Sequence, residues 1–444
     1  MTNTSHIPVE DQGRLTLRVR VGYSLGSLST GSFGTVPGLL LLPYLTDSLG
    51  VAASAAGLLV LLPKAWDVVF NPIAGRISDR TKGPLGARRP YLIYGGIALA
   101  ILFALLFAGP DTGSSTVDAL YVAGVFVLCA TAYAFFQVPF NALPAELTTS
   151  PTERTSLTAW RIALLAIAIL ISGAGAPALR DAVGGLAGYR IMGIAVGVLI
   201  LFGAIAAFIG TARTRVVPPL PSVAGWRETI TAVRECVPFR VLLTAFVIQA
   251  IGIGTLLAGV DYLARVALGD KSWQPVLFVA FVGPALLVMP VWQRVARRYG
   301  KRFGYVVATF VYSVGMCAAL FARVLPPVAI VVFVALAGIG YAGLQVFPLA
   351  LLPDVISAEE KRTGQVRAGV FAGVWTAGET LGLALGPGLY GLILSIGGYV
   401  SSRNGDVAQP ASAVTAVVIG AGLVPAVFAL AALPFLRRKE LFAS

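Results

Sequence analysis

Leu61-Leu62-Pro63-Lys64-Ala65-Trp66-Asp67-Val68-Val69-Phe70-Asn71-Pro72 is the stretch on which the reading of this chain turns. It lies inside an apolar run from about Ala52 to Ile77, long enough to cross a bilayer. A charged side chain at membrane depth costs on the order of 3 kcal/mol unless it is paired or wetted. Asp67 and Asn71 are four residues apart, Lys64 is three before Asp67, and all three share one helix face. A lysine, a carboxylate and an amide kept together there point to an ion or substrate pathway. The plainer alternative is that Lys64 and Asp67 neutralise each other in the interior.

The surrounding chain supports a membrane setting. Its 444 residues are 57% hydrophobic and only 12% charged, about half the charged share of an ordinary soluble domain. The 50 Gly and 27 Pro suit helices that pack closely and bend. A net charge of +13 would suggest nucleic acid in a soluble protein. Here the basic residues fall in alternate loops, as the positive-inside rule requires, and no nucleic-acid partner is expected. Cys129, Cys236 and Cys317 are far apart, so neither a disulfide framework nor a metal knuckle is indicated. The single histidine, His6, sits in the polar N-terminal tail, which excludes a histidine relay in the membrane.

Apolar segments long enough to span occur at about 21–45, 52–78, 91–109, 119–147, 157–178 and 189–211. A second set follows at about 240–266, 274–296, 303–322, 327–355, 367–396 and 412–436. The first run is too long for a signal peptide and is read as an uncleaved helix. The expected fold is therefore an all-α membrane protein with twelve transmembrane helices in two six-helix bundles. The bundles cover 1–211 and 240–444, joined by a polar, Pro-rich linker over 212–239. Arg80, Lys82, Arg88 and Arg89, the linker, the Arg294–Arg302 cluster, Lys361-Arg362 and the Arg437-Arg438-Lys439 tail fall on one side. The loops near 46–51 and 110–118 carry no Lys or Arg. Both termini are expected on the cytoplasmic side of the inner membrane.

The halves echo each other. Tyr133-Ala134-Phe135-Phe136-Gln137-Val138 matches Tyr341-Ala342-Gly343-Leu344-Gln345-Val346, and the same offset takes Glu146 to Asp354 and Arg154 to Arg362. Pro72-Ile73-Ala74-Gly75-Arg76 likewise matches Pro290-Val291-Trp292-Gln293-Arg294. Parallel six-helix repeats are the build of one large transporter class, with substrate held between the halves near the midplane.

The segment Asp67-x-x-x-Asn71-Pro72-x-x-Gly75-x-x-x-Asp79-Arg80-Thr81, followed by Gly86-x-Arg88-Arg89-Pro90-Tyr91, resembles the glycoside–pentoside–hexuronide:cation symporters of the major facilitator superfamily. That resemblance implies the major facilitator fold. It makes Asp67 a match to a cation-site aspartate and Arg161 a match to an arginine near the sugar site. Departures accompany the matches. Asn71 and Gln137 stand where a member of that family has carboxylates, and Asn141 replaces a tryptophan used in sugar contact. Glu379 and Thr380 stand where the family usually has a lysine.

The candidate sites follow. Asp67, Asn71 and Lys64 form the cation-coupling group; with one fixed carboxylate it suits a proton better than sodium, and no other cofactor is expected. Gln137, Asn141, Arg161, Gln345, Trp375 and Glu379 are the substrate-binding candidates, and the aromatics Phe135, Phe136 and Trp375 are expected to face the cavity. A guanidinium at Arg161 would meet substrate or pair with Asp67 or Glu379. Asp79, Arg80, Arg88 and Arg89 are candidate gating residues, with bridges expected between Glu146 and Arg154 and between Asp354 and Arg362. Asp261 and Arg265 are expected to form an i, i+4 pair that is structural or belongs to an outer gate.

The expected function is secondary active transport of a small organic solute, sugar or glycoside-like, in symport with a proton, by a monomer. An exporter, a carrier of lipid-like substrates and a non-transporting sensor remain alternatives. No metal cluster, Ser/His pairing or nucleotide-binding loop indicates an enzyme.

Overall fold

A computed structural model describes residues 15–81, 85–148, 150–212, 226–364, 368–403 and 407–436. The linker residues 213–225, Lys82 and the Arg437-Arg438-Lys439 tail lie outside them. The described residues hold twelve helices long and apolar enough to span a membrane, and no strand. The first six are α1 (Leu17–Asp47), α2 (Ala53–Arg80), α3 (Arg89–Leu106), α4 (Ser115–Leu147), α5 (Pro151–Val183) and α6 (Gly185–Gly210). The second six are α7 (Val237–Ala267), α8 (Trp273–Tyr299), α9 (Lys301–Phe321), α10 (Pro327–Thr363), α11 (Ala368–Ile396) and α12 (Ala411–Leu436). A short amphipathic helix, Trp226–Glu235, precedes α7. The seventh span thus begins a few residues earlier than hydropathy alone suggests, because Pro238 sits in its first turn, where proline's missing N–H is no loss.

Small residues set the helix contacts, since apolar burial against lipid provides little drive and close backbone approach must supply it. α1 meets α6 at Gly22, where a Cβ would fall 2.5 Å from Gly210 Cα. α7 meets α11 at Gly386, where a Cβ would sit 2.2 Å from the Gly254 carbonyl carbon. α2 crosses from the first half to α11 of the second at Gly57, whose Cβ would lie 3.1 Å from Gly388 Cα. Glycine is also demanded at the α5–α6 turn, where Gly184 and Gly185 adopt φ of 79° and 56°.

The two halves are latched at one face of the bundle. Three helix pairs carry most of the contact between them: α2 with α11, α5 with α8, and α1 with α7. Their close approaches lie toward the face opposite the termini: Gly57 against Gly388, and Gly173 against Phe278. At the terminal face the ion pairs described each stay within one half. The halves therefore meet at the far face and part toward the termini.

Candidate functional site

The decisive stretch sits midway along α2. Asp67 is buried, and its Oδ1 has no hydrogen-bond partner among the described residues. One turn on, the Asn71 Oδ1 is also buried and unpartnered. The two buried acceptors lie one turn apart on one helix face, and buried oxygens without a donor are costly. Lys64 is half-buried, and among the described residues no ion pair within 4.0 Å joins it to Asp67. Simple mutual neutralisation in direct contact is thus not what α2 shows. Pro63 and Pro72 flank the triplet inside the helix and remove two backbone donors there.

α4 and α5 supply the neighbouring wall. The Arg161 Nη2 donates to Asn141 Oδ1 at 2.5 Å, and its guanidinium lies 5.0 Å from the Phe140 ring centroid. Two substrate-binding candidates are thus brought together. The expected pairing of Arg161 with Asp67 or Glu379 is not found; an amide and an aromatic face hold the charge instead. The Tyr133 hydroxyl lies in the field of both Asp67 and Arg161, which places the coupling group and the arginine in one neighbourhood. Gln137 is half-buried. Phe135 stacks on Tyr91 and meets the edge of Phe70. Phe136 is fully buried against Phe140 in a packed cluster. The expectation that Phe136 faces a cavity is therefore corrected: its side of α4 packs on α3 and α6, where Gly96 and Ala204 leave room.

In the second half, Trp375 of α11 is buried and stacked on Phe246 of α7 at 4.3 Å. Its indole Nε1 is buried and has no acceptor among the described residues, so the expectation that Trp375 faces a cavity is also corrected: the ring packs between α11 and α7. Glu379, one turn on, is half-buried and makes no ion pair among the described residues. On α10, Gln345 Nε2 donates to the Tyr341 hydroxyl at 3.0 Å.

The terminal-face bridges differ from expectation in their partners. Arg88 binds both Asp79, at 2.9 Å, and Glu146, so the end of α2, the start of α3 and the end of α4 are tied together. Arg154 instead donates to the Thr148 carbonyl at 2.8 Å. Asp354 pairs with Lys301 at 2.5 Å, while Arg362 pairs with Glu359 at 2.7 Å. The reason is geometric. Glu146 and Asp354 point across to the neighbouring helix start, whereas Arg362, three residues after Glu359, finds an acid on its own helix. The internal repeat survives in this altered form: an acid near the end of α4 or α10 meets a base at the start of α3 or α9. Arg89 caps α6, donating to the Phe208 and Ala212 carbonyls at 3.2 and 3.4 Å. Arg80 is exposed.

The far face carries a network that the sequence did not single out, apart from Asp261 and Arg265. Arg265 of α7 reaches Asp47 of α1 at 2.6 Å and Asp261 at 3.1 Å. Arg180 of α5 reaches Asp261 at 2.8 Å and Gln274 of α8 at 2.9 Å. Tyr399 donates to Asp47 at 2.7 Å, and the Thr46 and Tyr262 hydroxyls share a bond of 2.6 Å. Arg403, between α11 and α12, reaches Asp118 at 2.8 Å and Asp111 at 2.9 Å. Apart from the Arg265–Asp261 pair within α7, each of these links joins one half to the other. The sequence did hold a signal: the loops near 46–51 and 110–118 contain Asp47, Asp111 and Asp118 but no local cation. Asp47 and Asp118 are buried there and find their partners elsewhere in the fold.

Twelve spans in two bundles, a polar midplane and a latched far face define a secondary transporter of the major facilitator class. A family profile described as MFS/sugar transport protein matches residues 22–441, and the chain belongs to that family. It is similar to the Uncharacterized symporter YjmB of Bacillus subtilis (strain 168), 26% identical over 411 residues covering 89% of this chain and 86% of the relative. It is also similar to the Putative glycoside/cation symporter YagG of Escherichia coli (strain K12), 28% identical over 432 residues covering 93% and 90%. Among solved structures it resembles a bacterial homologue of the human lysosomal transporter Spinster in an inward-facing, occupied conformation. That match has TM-score 0.70 and 14% identity, covering 95% of each chain, and it bears on fold alone. The protein is thus a multi-pass membrane transporter and not an enzyme.

Proposed function

We propose that this transporter imports a small sugar or glycoside-like solute together with a proton, by alternating access, as a monomer. The carrying observation is the pair of buried, unpartnered acceptors on α2, Asp67 Oδ1 and Asn71 Oδ1. One carboxylate and one amide present a single fixed negative charge, and Lys64 shares the same helix face. A metal ion needs several oxygen ligands, whereas a proton needs one basic oxygen. Asp67 therefore takes the proton, and Lys64 tunes its charge as the site alternates between water and protein. Arg161, oriented by Asn141, presents N–H donors to the hydroxyls of a solute, with Gln137 beside it on α4. Gln345 and Glu379 form the opposing wall, with Trp375 packed behind them on Phe246. A relative named as a putative glycoside/cation symporter supports the solute class.

With both termini and the linker in the cytoplasm, as the loop charges require, the terminal face is the cytoplasmic one. The described state is then inward-open, closed outside by the Asp47–Arg265–Asp261–Arg180 chain. Cytoplasmic bridges such as Asp79–Arg88–Glu146 hold each bundle's inner end as a rigid unit during rocking.

The test is uptake of a panel of sugars and glycosides by purified protein in liposomes, with proton and sodium gradients imposed separately. Proton-driven accumulation is expected, with Asp67→Asn abolishing it while leaving downhill exchange of solute. Accumulation driven by sodium alone overturns the coupling assignment. Binding with no counterflow for every solute overturns transport in favour of a sensor.

A further inference from the structure

α2 and α11 run antiparallel, and their contacts fix a register. Gly57 abuts Gly388, Leu61 Cδ2 would lie 3.6 Å from a Cβ on Gly388, and Gly391 lies against Ala53 and Gly57. Carried along both helices toward the termini, this register brings Asp67 level with Glu379. The two carboxylates belong to different halves. Below the Gly57–Gly388 crossing the halves part, so the two acids stand apart in this state.

Their surroundings differ. Asp67 has Lys64 one turn away on its own helix. Among the described residues of α11, Glu379 has no such neighbour. The stretch of α7 packed at its level is Leu243, Phe246, Val247 and Ala250, all apolar. α10 presents the Tyr341 hydroxyl to it. Arg240 of α7 is exposed at the terminal end, as are Arg234 and Glu235 of the linker helix. Asp47, Asp261 and Arg265 are engaged with one another at the far face. α12 places no charged side chain against α11 among the described residues.

We propose that Glu379 is a second proton-carrying carboxylate and that its protonation permits the terminal face to close. This inference rests on the alternating-access, proton-coupled reading above. Closing the terminal side swings α2 and α11 together and brings Glu379 toward Asp67. A carboxylate drawn out of the cavity water into a low-dielectric space, with no cation beside it, does not remain ionised. Lys64 lies one turn from Asp67, and among the described residues of α7, α10, α11 and α12 no cation answers the charge of Glu379. A proton taken from the cavity water onto a Glu379 carboxylate oxygen removes the charge, and the same proton leaves to water when the cavity reopens. The sign follows: low pH favours the closed terminal face and high pH the open one.

The experiment needs no substrate, because the proton is the probe. Spin labels at Ile77→Cys on α2 and Ala372→Cys on α11 report the opening between the halves. The full chain is reconstituted in liposomes with Cys129, Cys236 and Cys317 replaced by serine. Both labelled positions are exposed. As pH falls from about 8 to about 5, across the range of perturbed carboxyls, the wild-type distance distribution is expected to move from long to short. Glu379→Gln is expected to hold the short distance at every pH, Glu379→Asp to titrate, and Asp67→Asn to keep the titration. A Glu379→Gln protein that titrates like the wild type, or a titration lost in Asp67→Asn instead, overturns the proposal. Failure of the underlying reading shows elsewhere, as Asp67→Asn liposomes that still accumulate solute on a proton gradient.

Discussion

Asp261→Asn is the perturbation that probes the far-face latch most sharply. The side chain is 1% exposed and accepts from Arg180 at 2.8 Å and Arg265 at 3.1 Å. Asparagine has nearly the same shape, so packing is preserved and only the charge is lost. Two guanidiniums then remain buried with less countercharge: Arg265 keeps Asp47, and Arg180 keeps Asp181 at 2.8 Å. Removing one partner of a buried ion pair costs about 3–5 kcal/mol. Asp47 and Asp181 offset part of this, so the lower end applies, about 3 kcal/mol. When the far face opens, water reaches both arginines and most of the penalty disappears. The cost therefore falls on the closed-outside state and shifts the conformational equilibrium by about two orders of magnitude toward outside-open. Spin labels at Val117→Cys on α4 and Val324→Cys between α9 and α10, both exposed, measure the far-face separation in liposomes. A longer distance in Asp261→Asn than in wild type is expected, together with a lower melting temperature in detergent. An unchanged distance distribution in a folded Asp261→Asn protein would refute the latch.

Further expectations follow from the same bookkeeping of buried charge and space. Arg88→Ala leaves Glu146, 2% exposed, without its cation, and should destabilise by about 3 kcal/mol. Lys301→Ala breaks a pair whose side chains are 36% and 48% exposed and should cost under about 1 kcal/mol; melting curves of the two variants compare them, and equal losses would contradict the assigned partners. Gly386→Ala places a Cβ 2.2 Å from the Gly254 backbone and should force α7 from α11, read as loss of the monodisperse peak in size-exclusion chromatography. Gly124→Ala, with nothing within 4 Å of its Cβ, should leave that peak intact. Asn141→Ala frees Arg161 from its 2.5 Å acceptor and should raise the KM for a transported solute about tenfold, the weight of one charged hydrogen bond, with the maximal rate little changed.

Much of the architecture was legible in the chain because a bilayer leaves few choices. Every backbone polar group at membrane depth must be satisfied internally, so long apolar runs become helices. Twelve runs, one polar stretch after the sixth and the Tyr133/Tyr341 echo were enough to indicate two related bundles. The polar face Lys64–Asp67–Asn71 was equally visible, because helical spacing alone puts those residues on one side. Partner identity was not visible. Glu146 choosing Arg88 over Arg154, and Asp354 choosing Lys301 over Arg362, depend on where helix ends meet in space. Arg161 settled on Asn141 because α4 and α5 are neighbours at that depth, while Asp67 lies on α2 and Glu379 in the other half.

The sequence by itself determined which helices span, where they carry cost in buried charge, and that α2 holds one acid with a lysine beside it. Only the tertiary structure decided which charges meet. It joined Asp47, Asp261, Arg180 and Arg265 from four positions scattered between α1 and α7 into one latch, and it set Glu379 level with Asp67 across the gap. The physical reason is that hydropathy and periodicity are local properties of a chain. Pairing of buried charges is fixed by helix register between the halves, and that register is written in glycine contacts such as Gly57 with Gly388, which carry no charge signal of their own.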